Sequence, residues 1–404
     1  MIRPVAVLVF AVWVLSGLLG VARSVAQGVD AGVANFQTIV VDPYSQALGE
    51  ATVALRGYPG AASLNPATIG RPNTIQVGSN WDTSAGGFFQ TPWWFDGFWL
   101  TSPAIDVRLR RWAFAYQFKQ FTLDSPDFRD ARNNPLGKVT DRSHKIAAAY
   151  DLRPNLTVGL GVNLISTETG GVILGSEVAR SSASGVSFDF GVVYDRTFDV
   201  PHVWLKPSVG WSLTDFGKPV RFEGATRDDP LTMVMRGGLS FQAESKKKRL
   251  RRPLVTAGLH GGLSKVLVGF DEDNVFDPYG PFEALVKTWK PFEVRANPLN
   301  DDSAEFEKVG VLDQLSTQAG LEVTLLRIVA LRLGDYHAPK YVGDQHYTSY
   351  GFGVDLYYVA LDYSKVNTDE SLLDEVTYWR LTARVPLTSS PDNFWPDLLQ
   401  ALRR

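Results

Sequence analysis

Apolar and polar residues alternate with a period of two from Gln318 to Val366. The first apolar row of this stretch holds Ala319, Leu321, Val323 and Leu325. This period predicts a strand with one apolar face, because successive side chains of a strand point to opposite sides. The apolar row begins again three times, and the connections between successive rows alternate between short and long. Short turns at one end and long loops at the other are typical of a transmembrane β-barrel.

The same alternation recurs through most of the chain. The clearest hairpin joins rows at 146–152 and 156–164. Two other rows predicted to face lipid hold Val203, Leu205, Val209, Trp211 and Leu213, and Met233, Met235, Leu239 and Phe241. Together the rows predict an all-β fold, a transmembrane antiparallel β-barrel of about 14 strands over 73–388. We expect the long connections on the extracellular side, near 122–142, 166–184, 214–231, 269–315, 337–347 and 366–375.

Charged residues occupy the alternate positions of these strands, on the face opposite to the apolar rows. The predicted inward set holds Lys206, Arg236, Glu322, Arg332, Asp355, Asp362, Arg380 and Arg384. Charge is unfavourable against lipid but reasonable in a wet or plugged lumen, where opposite signs pair. We interpret the set as structural lining rather than as a transport path.

The stretch 27–72 precedes the predicted barrel and is rich in small residues. Asn65 and Pro66 have the pattern of a helix start, since an Asn side chain accepts from free N–H groups and proline suits the first helical position. Small residues would let the backbone pack tightly in a narrow space, so one interpretation is a plug inside the lumen. The alternative is an ordinary turn and short helix outside the barrel.

Both ends of the chain carry patterns that differ from the barrel. Residues 1–26 combine Arg3, an apolar run and a small-residue site before Gln27, which predicts a secretory signal peptide. The alternative is an uncleaved helical anchor. Residues 389–404 place apolar side chains at helical spacing, which predicts a short amphipathic C-terminal helix, either interfacial or a packing element.

The composition narrows the class of protein. The 404 residues have a net charge of −3 and a pI near 6.0, which gives no indication of a nucleic-acid partner. A mean hydropathy of −0.07 excludes a helical membrane bundle. The chain has no cysteine, which excludes disulfides, thiol catalysis and cysteine zinc sites.

Candidate chemistry is sparse. The five histidines lack metal-ligand spacing, although His337 and His346 flank one predicted loop. No nucleophile elbow and no phosphate-binding glycine loop is present, so the sequence predicts neither an enzyme nor a cofactor. The basic run 246–252 is a solvated turn or a docking patch for an acidic partner.

Several motifs together resemble one known family. They are Gln46-Ala47-Leu48-Gly49, Leu64-Asn65-Pro66-Ala67, Gly320-Leu321-Glu322, the run from Ala330 to His337, Tyr350-Gly351-Phe352-Gly353-Val354 and Leu361-Asp362-Tyr363-Ser364. In order and spacing they resemble the PorV/PorQ family of FadL-like outer-membrane barrels of type IX secretion. The sequence departs from the family pattern at Glu50 and in the residues after 388. The resemblance implies a FadL-like barrel of the cell outer membrane with an N-terminal hatch, a plug in the lumen whose motif holds Gly49, Asn65 and Pro66.

Two functions follow as expectations. The first is a non-catalytic barrel, in contact with outer-membrane lipid, that binds the type IX translocon and cargo C-terminal domains, chiefly through the loop 269–315. The second is a FadL-type transporter with a hydrophobic ligand in the lumen. The second hypothesis predicts an apolar pocket beside the plug and a lateral opening between strands.

Overall fold

The computed structural model describes residues 34–70, 74–82, 98–123, 136–174, 177–178, 181–249, 252–270, 277–295, 306–342, 344–356, 358–368 and 376–387. The predicted signal peptide at 1–26 and the predicted helix at 389–404 lie outside these residues. No helix among the described residues is long and apolar enough to cross a membrane.

Fourteen strands form the wall of the molecule. They are β1 (Thr74–Asp82), β2 (Ala104–Leu109), β3 (Trp112–Leu123), β4 (Leu136–Arg153), β5 (Leu156–Leu174), β6 (Ser181–Asp195), β7 (Val203–Gly217), β8 (Val234–Ser245), β9 (Val255–Val266), β10 (Ser316–Leu325), β11 (Val329–Ala338), β12 (Gln345–Asp355), β13 (Val359–Asn367) and β14 (Thr377–Pro386). Each pairs antiparallel with the next, and β14 pairs with β1 from Pro386↔Thr74 to Tyr378↔Asp82. The sheet therefore closes, and the predicted antiparallel barrel is confirmed.

Short ladders extend the wall at three points. Phe98–Thr101 pairs with β3 beyond the end of β2, Glu177–Val178 pairs with the end of β5, and Phe198–Val200 pairs with the start of β7. These pieces lengthen existing hairpins and leave the number of wall strands unchanged.

The connections differ in length at the two ends of the barrel. Leu326 and Arg327 both have φ of 52°, the left-handed pair that a tight hairpin needs between β10 and β11. The long connection between β9 and β10 contains helix Pro281–Lys287 and the hairpin of Phe292–Arg295 with Phe306–Val309. We call residues 277–295 and 306–315 the outer loop.

The two faces of the wall have opposite character. On β11 the side chain of Leu331 is 61% exposed, whereas that of Arg332 is 6% exposed. Large apolar side chains stay exposed on the outward parity, among them Trp112, Phe114, Ile146, Leu160, Leu259, Leu263 and Leu381. An apolar surface this extensive is unfavourable in water, and it suits the hydrocarbon of a membrane. We call it the lipid-facing belt.

Two residues predicted to face lipid do not. Leu213 lies on the outward row of β7 but is buried, because the outer loop covers it and the register with β6 shifts between Leu213 and Phe216. Met233 precedes β8, which begins at Val234, and it is buried in the same cluster. Parity along a strand does not reveal a bulge or a covering loop.

The N-terminal segment, residues 34–70, is built from single helical turns. They are Asn35–Gln37, α1 (Pro43–Gln46), Ala61–Ser63 and Pro66–Thr68. The Asp42 side chain accepts from Tyr44 N at 3.0 Å, and the Asn65 side chain accepts from Ala67 N at 2.9 Å. The predicted helix start at Asn65 and Pro66 is therefore a single 3-10 turn.

The helix Pro281–Lys287 of the outer loop is the second α-helix of the described chain, and we call it α2.

Candidate functional site: the lumen and the N-terminal segment

The N-terminal segment contacts inward-facing side chains on many sides of the barrel. Hydroxyls of the wall donate to its carbonyl groups, Ser212 Oγ to Leu64 O at 2.6 Å and Ser208 Oγ to Ala54 O at 3.1 Å. On other strands, Arg108 donates to Ile69 O at 3.0 Å, Arg380 donates to Pro59 O at 2.9 Å, and Ser349 donates to Gln46 O. These bonds satisfy buried carbonyls that single helical turns leave open.

Inward glycines let this segment approach the wall backbone. A Cβ at Gly320 would lie 2.7 Å from Leu48 O, closer than side-chain carbons approach. The same close approach occurs at four other inward glycines, which are Gly159, Gly191, Gly210 and Gly334. A residue with a side chain at these positions would push the N-terminal segment away.

The three predicted motif residues lie at these glycine contacts. Gly49 has φ of +57° and touches the backbone at Asp335, and a Cβ on Gly334 would meet it. Asn65 and Pro66 lie against Gly191, and Asn65 Nδ2 also donates to Val53 O at 2.8 Å. All three are therefore placed between the N-terminal segment and the wall.

Buried charges link four wall strands to the N-terminal segment. Asp362 on β13 pairs with Arg332 and Arg380, each at 2.9 Å. Arg332 also pairs with Glu322 at 2.7 Å and lies 4.3 Å from the ring centre of Tyr44. Arg380 makes a second ion pair with Asp42 of the N-terminal segment. Each charge removed from water here has an opposite charge in contact, which offsets its desolvation.

The other predicted inward charges lie elsewhere in the lumen. Arg384 pairs with Asp355 at 2.8 Å, and Lys206 pairs with Glu244 at 2.8 Å. Arg236 is buried and donates to Thr214 Oγ1 at 2.8 Å. Four members of the predicted set therefore join in the network at Asp362, three others form ion pairs outside it, and Arg236 is held by a hydroxyl.

Several charged residues of the lumen were missed by the sequence analysis. Lys145 and Asp189 form a buried pair at 2.7 Å, and both stand on the inward parity of rows that the sequence did show. Asp42 is recognisable in sequence as a helix cap before Pro43, but its partner Arg380 is remote along the chain. Asp215 lies in the bulge of β7, where parity gives no signal.

Glu50 is the second carboxylate of the N-terminal segment, after Asp42. Burial raises its pKa, and the hydrogen bond from Tyr347 Oη to its Oε1 at 2.8 Å lowers the pKa in part. Arg236 and Lys119 lower the pKa further through their charge. Glu50 also has φ of 65°, a left-handed conformation that is uncommon outside glycine.

A cavity of about 570 Å³ lies between the N-terminal segment and the short turns. Tyr44, Tyr58 and Ile328 contribute to its wall. Its charged lining consists of Arg56, Lys206, Arg252, Arg327, Arg332, Arg380, Arg384, Glu244, Glu322, Asp355 and Asp362. This cavity is charged, so it is not the apolar pocket that the transporter hypothesis predicts.

Apolar side chains gather at the other end of the lumen. Phe36 packs with Ile165 and Leu231, and Phe121 lies against this cluster. A second cluster holds Val41, Leu100, Tyr347, Val366, Val376 and Tyr378, and Ile39 and Phe121 lie against it. The N-terminal segment thus separates an apolar region near the long loops from the charged cavity near the short turns.

The remaining sequence candidates do not form a site. The rings of His337 and His346 are 5.6 Å apart, and His346 Nε2 lies 3.2 Å from Asp335 Oδ2. No group of residues that could hold a metal ion occurs in the described part of the chain. In the basic run, Lys246 pairs with Asp199 and Lys248 lies 5.6 Å from the ring centre of Trp204.

Comparisons with known proteins found structural likeness to other barrels but no match in sequence. No family model matches the chain, and no curated protein matches it. The chain is similar to the toluene transporter TbuX of Ralstonia pickettii, with 12% identity, a TM-score of 0.41, and coverage of 85% of this chain and 96% of that one. A FadL homologue of Pseudomonas aeruginosa gives 10% identity, a TM-score of 0.43, and coverage of 86% and 98%.

A barrel of another type is similar at a comparable level. CdiB from Acinetobacter baumannii gives 9% identity and a TM-score of 0.37, with coverage of 77% of this chain and 59% of that one. Identities and TM-scores of this size assign neither a family nor a function.

Proposed function

We propose that this protein is an outer-membrane transporter of hydrophobic small molecules, in which the N-terminal segment is a plug. The observation that carries the proposal is the arrangement of the lumen. The N-terminal segment occupies it, with apolar clusters towards the long loops and a charged cavity towards the short turns. A solute entering from the long-loop end meets apolar side chains first, which favours a hydrophobic passenger.

Supporting evidence also comes from the wall. The lipid-facing belt supports a membrane location for the barrel, since closed barrels with an apolar outer face span outer membranes. The charged cavity disfavours an apolar molecule, so a passenger would leave the lumen above it. The ladder between β6 and β7 is interrupted at Leu213 and Phe216, so an opening there breaks few hydrogen bonds but requires the outer loop to move off Leu213.

An uptake assay in whole cells tests the proposal. Cells with an intact outer membrane exclude the apolar dye N-phenyl-1-naphthylamine, whose fluorescence rises on entry into lipid. We expect cells producing the protein to take up the dye faster than cells producing Phe36→Asp, which places a carboxylate in the apolar cluster. Arg221→Met, at an exposed residue, is the matched control and should behave as the natural protein.

Two results would contradict this function. Dye uptake equal to that of cells without the protein would exclude a hydrophobic route. Uptake of a hydrophilic dye at the same increased rate would show an open polar pore and would therefore exclude a plug. Equal amounts of folded protein in the outer membrane are verified by heat-dependent gel mobility.

Whether the plug moves can be tested with a reversible crosslink, since the chain has no cysteine of its own. A Cβ at Gly238 would lie 3.1 Å from Val53 Cβ. A disulfide spans about 3.5–4.5 Å between Cβ atoms, so a small shift of the N-terminal segment brings the pair into range. The double change Val53→Cys and Gly238→Cys should stop uptake when oxidised and restore it on reduction if the plug moves. Val53→Cys alone is the control.

The role in type IX secretion stays a prediction from the resemblance. It requires binding of a translocon barrel and of cargo C-terminal domains, and a tagged copy purified in mild detergent tests it. Recovery of such a protein with the barrel would support that role, whereas recovery of a bound hydrocarbon or fatty acid without a protein partner would support transport.

A further inference from the structure

One row of the barrel wall faces outward, and part of it is shielded from the surroundings. Phe190, Leu213, Met235 and Lys265 stand opposite one another across β6, β7, β8 and β9. Lys265 shares the outward parity of exposed Leu263, yet it is buried, as is Leu213. A buried residue on the outer face must be covered by other parts of the chain.

The outer loop provides the cover. Tyr279 and Ala284 pack in one cluster with Leu213, and Leu285 and Trp289 lie against it. Gln314 accepts a hydrogen bond from Lys265 Nζ, which also lies 5.4 Å from the ring centre of Trp289. At this height the outer loop, rather than the strands, forms the outermost layer of the protein.

Helix α2 leaves an apolar pair largely exposed. Ala284 faces the wall and is buried, whereas Phe282 is 74% exposed and Val286 is 67% exposed. The two lie four residues apart, and this spacing places them on one side of a helix. Glu283 and Lys287 form an ion pair at 3.2 Å beside them. A helix with an apolar side and a charged side is suited to the interface of a membrane.

The apolar surface of α2 is continuous with the lipid-facing belt. The Phe282 ring lies 5.0 Å from that of Phe216, which lies 6.0 Å from that of Phe190 on β6. Phe188 and Val186, further towards the long loops on β6, are also exposed on the outward parity. The belt on the neighbouring strand therefore reaches beyond the place where Phe216 meets α2.

We propose that α2 is seated in the lipid leaflet at the long-loop end, with Phe282 and Val286 among the acyl chains. The belt is then made of strands over most of the barrel and of the outer loop beside β7, β8 and β9. Lipid is the occupant because a protein bound to Phe282 would also have to displace lipid from the adjoining belt. The outer loop is therefore fixed to the membrane as well as to the wall.

Spin labelling in liposomes tests this placement, since each cysteine introduced is the only one in the chain. The variants are Phe282→Cys and Val286→Cys, with Leu259→Cys in the belt and Lys308→Cys on the exposed part of the outer loop as references. The measurement compares collision of the label with oxygen, which concentrates in lipid, and with a nickel chelate, which stays in water. We expect the oxygen-to-nickel ratio at both α2 positions to rise to that at Leu259.

Each other outcome has a defined meaning. A ratio at both α2 positions equal to that at Lys308 would place α2 in water and overturn the proposal. Labels immobilised and shielded from both reagents would show that protein, such as a second copy of the barrel, covers α2, and this would also overturn it. A water-like ratio at Leu259 would instead overturn the membrane placement of the whole barrel, so the two failures are distinguishable.

Discussion

The N-terminal segment and the outer loop both pack against the same wall, one from inside and one from outside. Inside, the contacts are backbone against glycine, hydroxyl to carbonyl, and ion pairs such as Arg380 with Asp362. Outside, they are largely apolar, as where Tyr279 and Ala284 pack in one cluster with Leu213. The difference follows from the surroundings, since polar groups in a lumen must be paired while an outer face is already apolar.

This contrast implies different sensitivity to substitution. In the lumen, a single substitution leaves a buried charge without one of its partners or brings atoms into overlap. Outside, loss of a contact lets the outer loop swing away while the barrel ladder stays intact. The following predictions separate the two regions, beginning with the largest effect.

Removal of the guanidinium of Arg380, the most buried among the described arginines, should cost most. Arg380→Met leaves Asp42 without its arginine partner and removes one of the two arginines that pair with Asp362, and breaking a buried ion pair costs about 3–5 kcal/mol of unfolding free energy. Arg221→Met removes an exposed pair with Asp228 and should cost about 1 kcal/mol at most. Denaturant unfolding in detergent micelles measures both, and equal losses would show that burial of the network contributes nothing.

Addition of a single methyl group at an inward glycine should have the second largest effect. Gly320→Ala places a Cβ against Leu48 O, and overpacking of this kind costs about 1–3 kcal/mol. Gly237→Ala is the matched control, because nothing lies within 4 Å of the Cβ that it adds. Thermal unfolding compares the two variants. A Tm for Gly320→Ala as high as that for Gly237→Ala would mean that the N-terminal segment does not press on the wall there.

A change in the outer loop should affect the loop more than the barrel. Ala284→Asp buries a carboxylate against the wall, which detaches α2. We expect faster proteolysis within 277–295 and a barrel Tm close to that of the natural protein. Glu283→Gln, on the exposed side of α2, should leave both unchanged. A large fall in barrel Tm with Ala284→Asp would make the outer loop as important to the wall as the N-terminal segment.

The smallest effect concerns pH. Because burial raises the pKa of Glu50, the folded protein favours the neutral acid. Its contribution to stability is complete below the pKa of an unfolded Glu, about 4.3, and is lost as the pH rises through the raised folded-state pKa.

Glu50→Gln tests the sign of this effect. The amide stays neutral and can accept the hydrogen bond from Tyr347, so the variant should gain stability relative to the natural protein as the pH rises. The same change at exposed Glu223 is the matched control. Parallel unfolding curves of the natural protein and Glu50→Gln at every pH would contradict the assignment.

The barrel was predictable because its signal is local. Leu331 and Arg332 are adjacent in sequence, and the pleat of a strand alone sends them to opposite faces. The same logic placed Arg236, Glu322 and Asp362 inside before any partner was known. The hairpin between β10 and β11 was equally local, since its turn joins two rows of matched length.

The site was less predictable because its contacts join remote parts of the chain. The pairing of Asp42 with Arg380 depends on where the N-terminal segment lies, and Asp42 carries no mark in sequence beyond that of a helix cap. The charged character of the cavity depends on which inward residues lie at the same height. That height is set by strand register and by the bulge at Leu213 and Phe216, which alternation does not reveal.

The sequence by itself determined an antiparallel barrel with an apolar outside and a polar inside, because side-chain direction in a strand depends on the parity of the residue. Only the tertiary structure decided which inward charges meet, how the N-terminal segment fits the inward glycines, and that the outer loop covers Leu213 and Lys265. These contacts form when closure of the sheet brings together residues far apart in the chain, and no local pattern encodes such a distance.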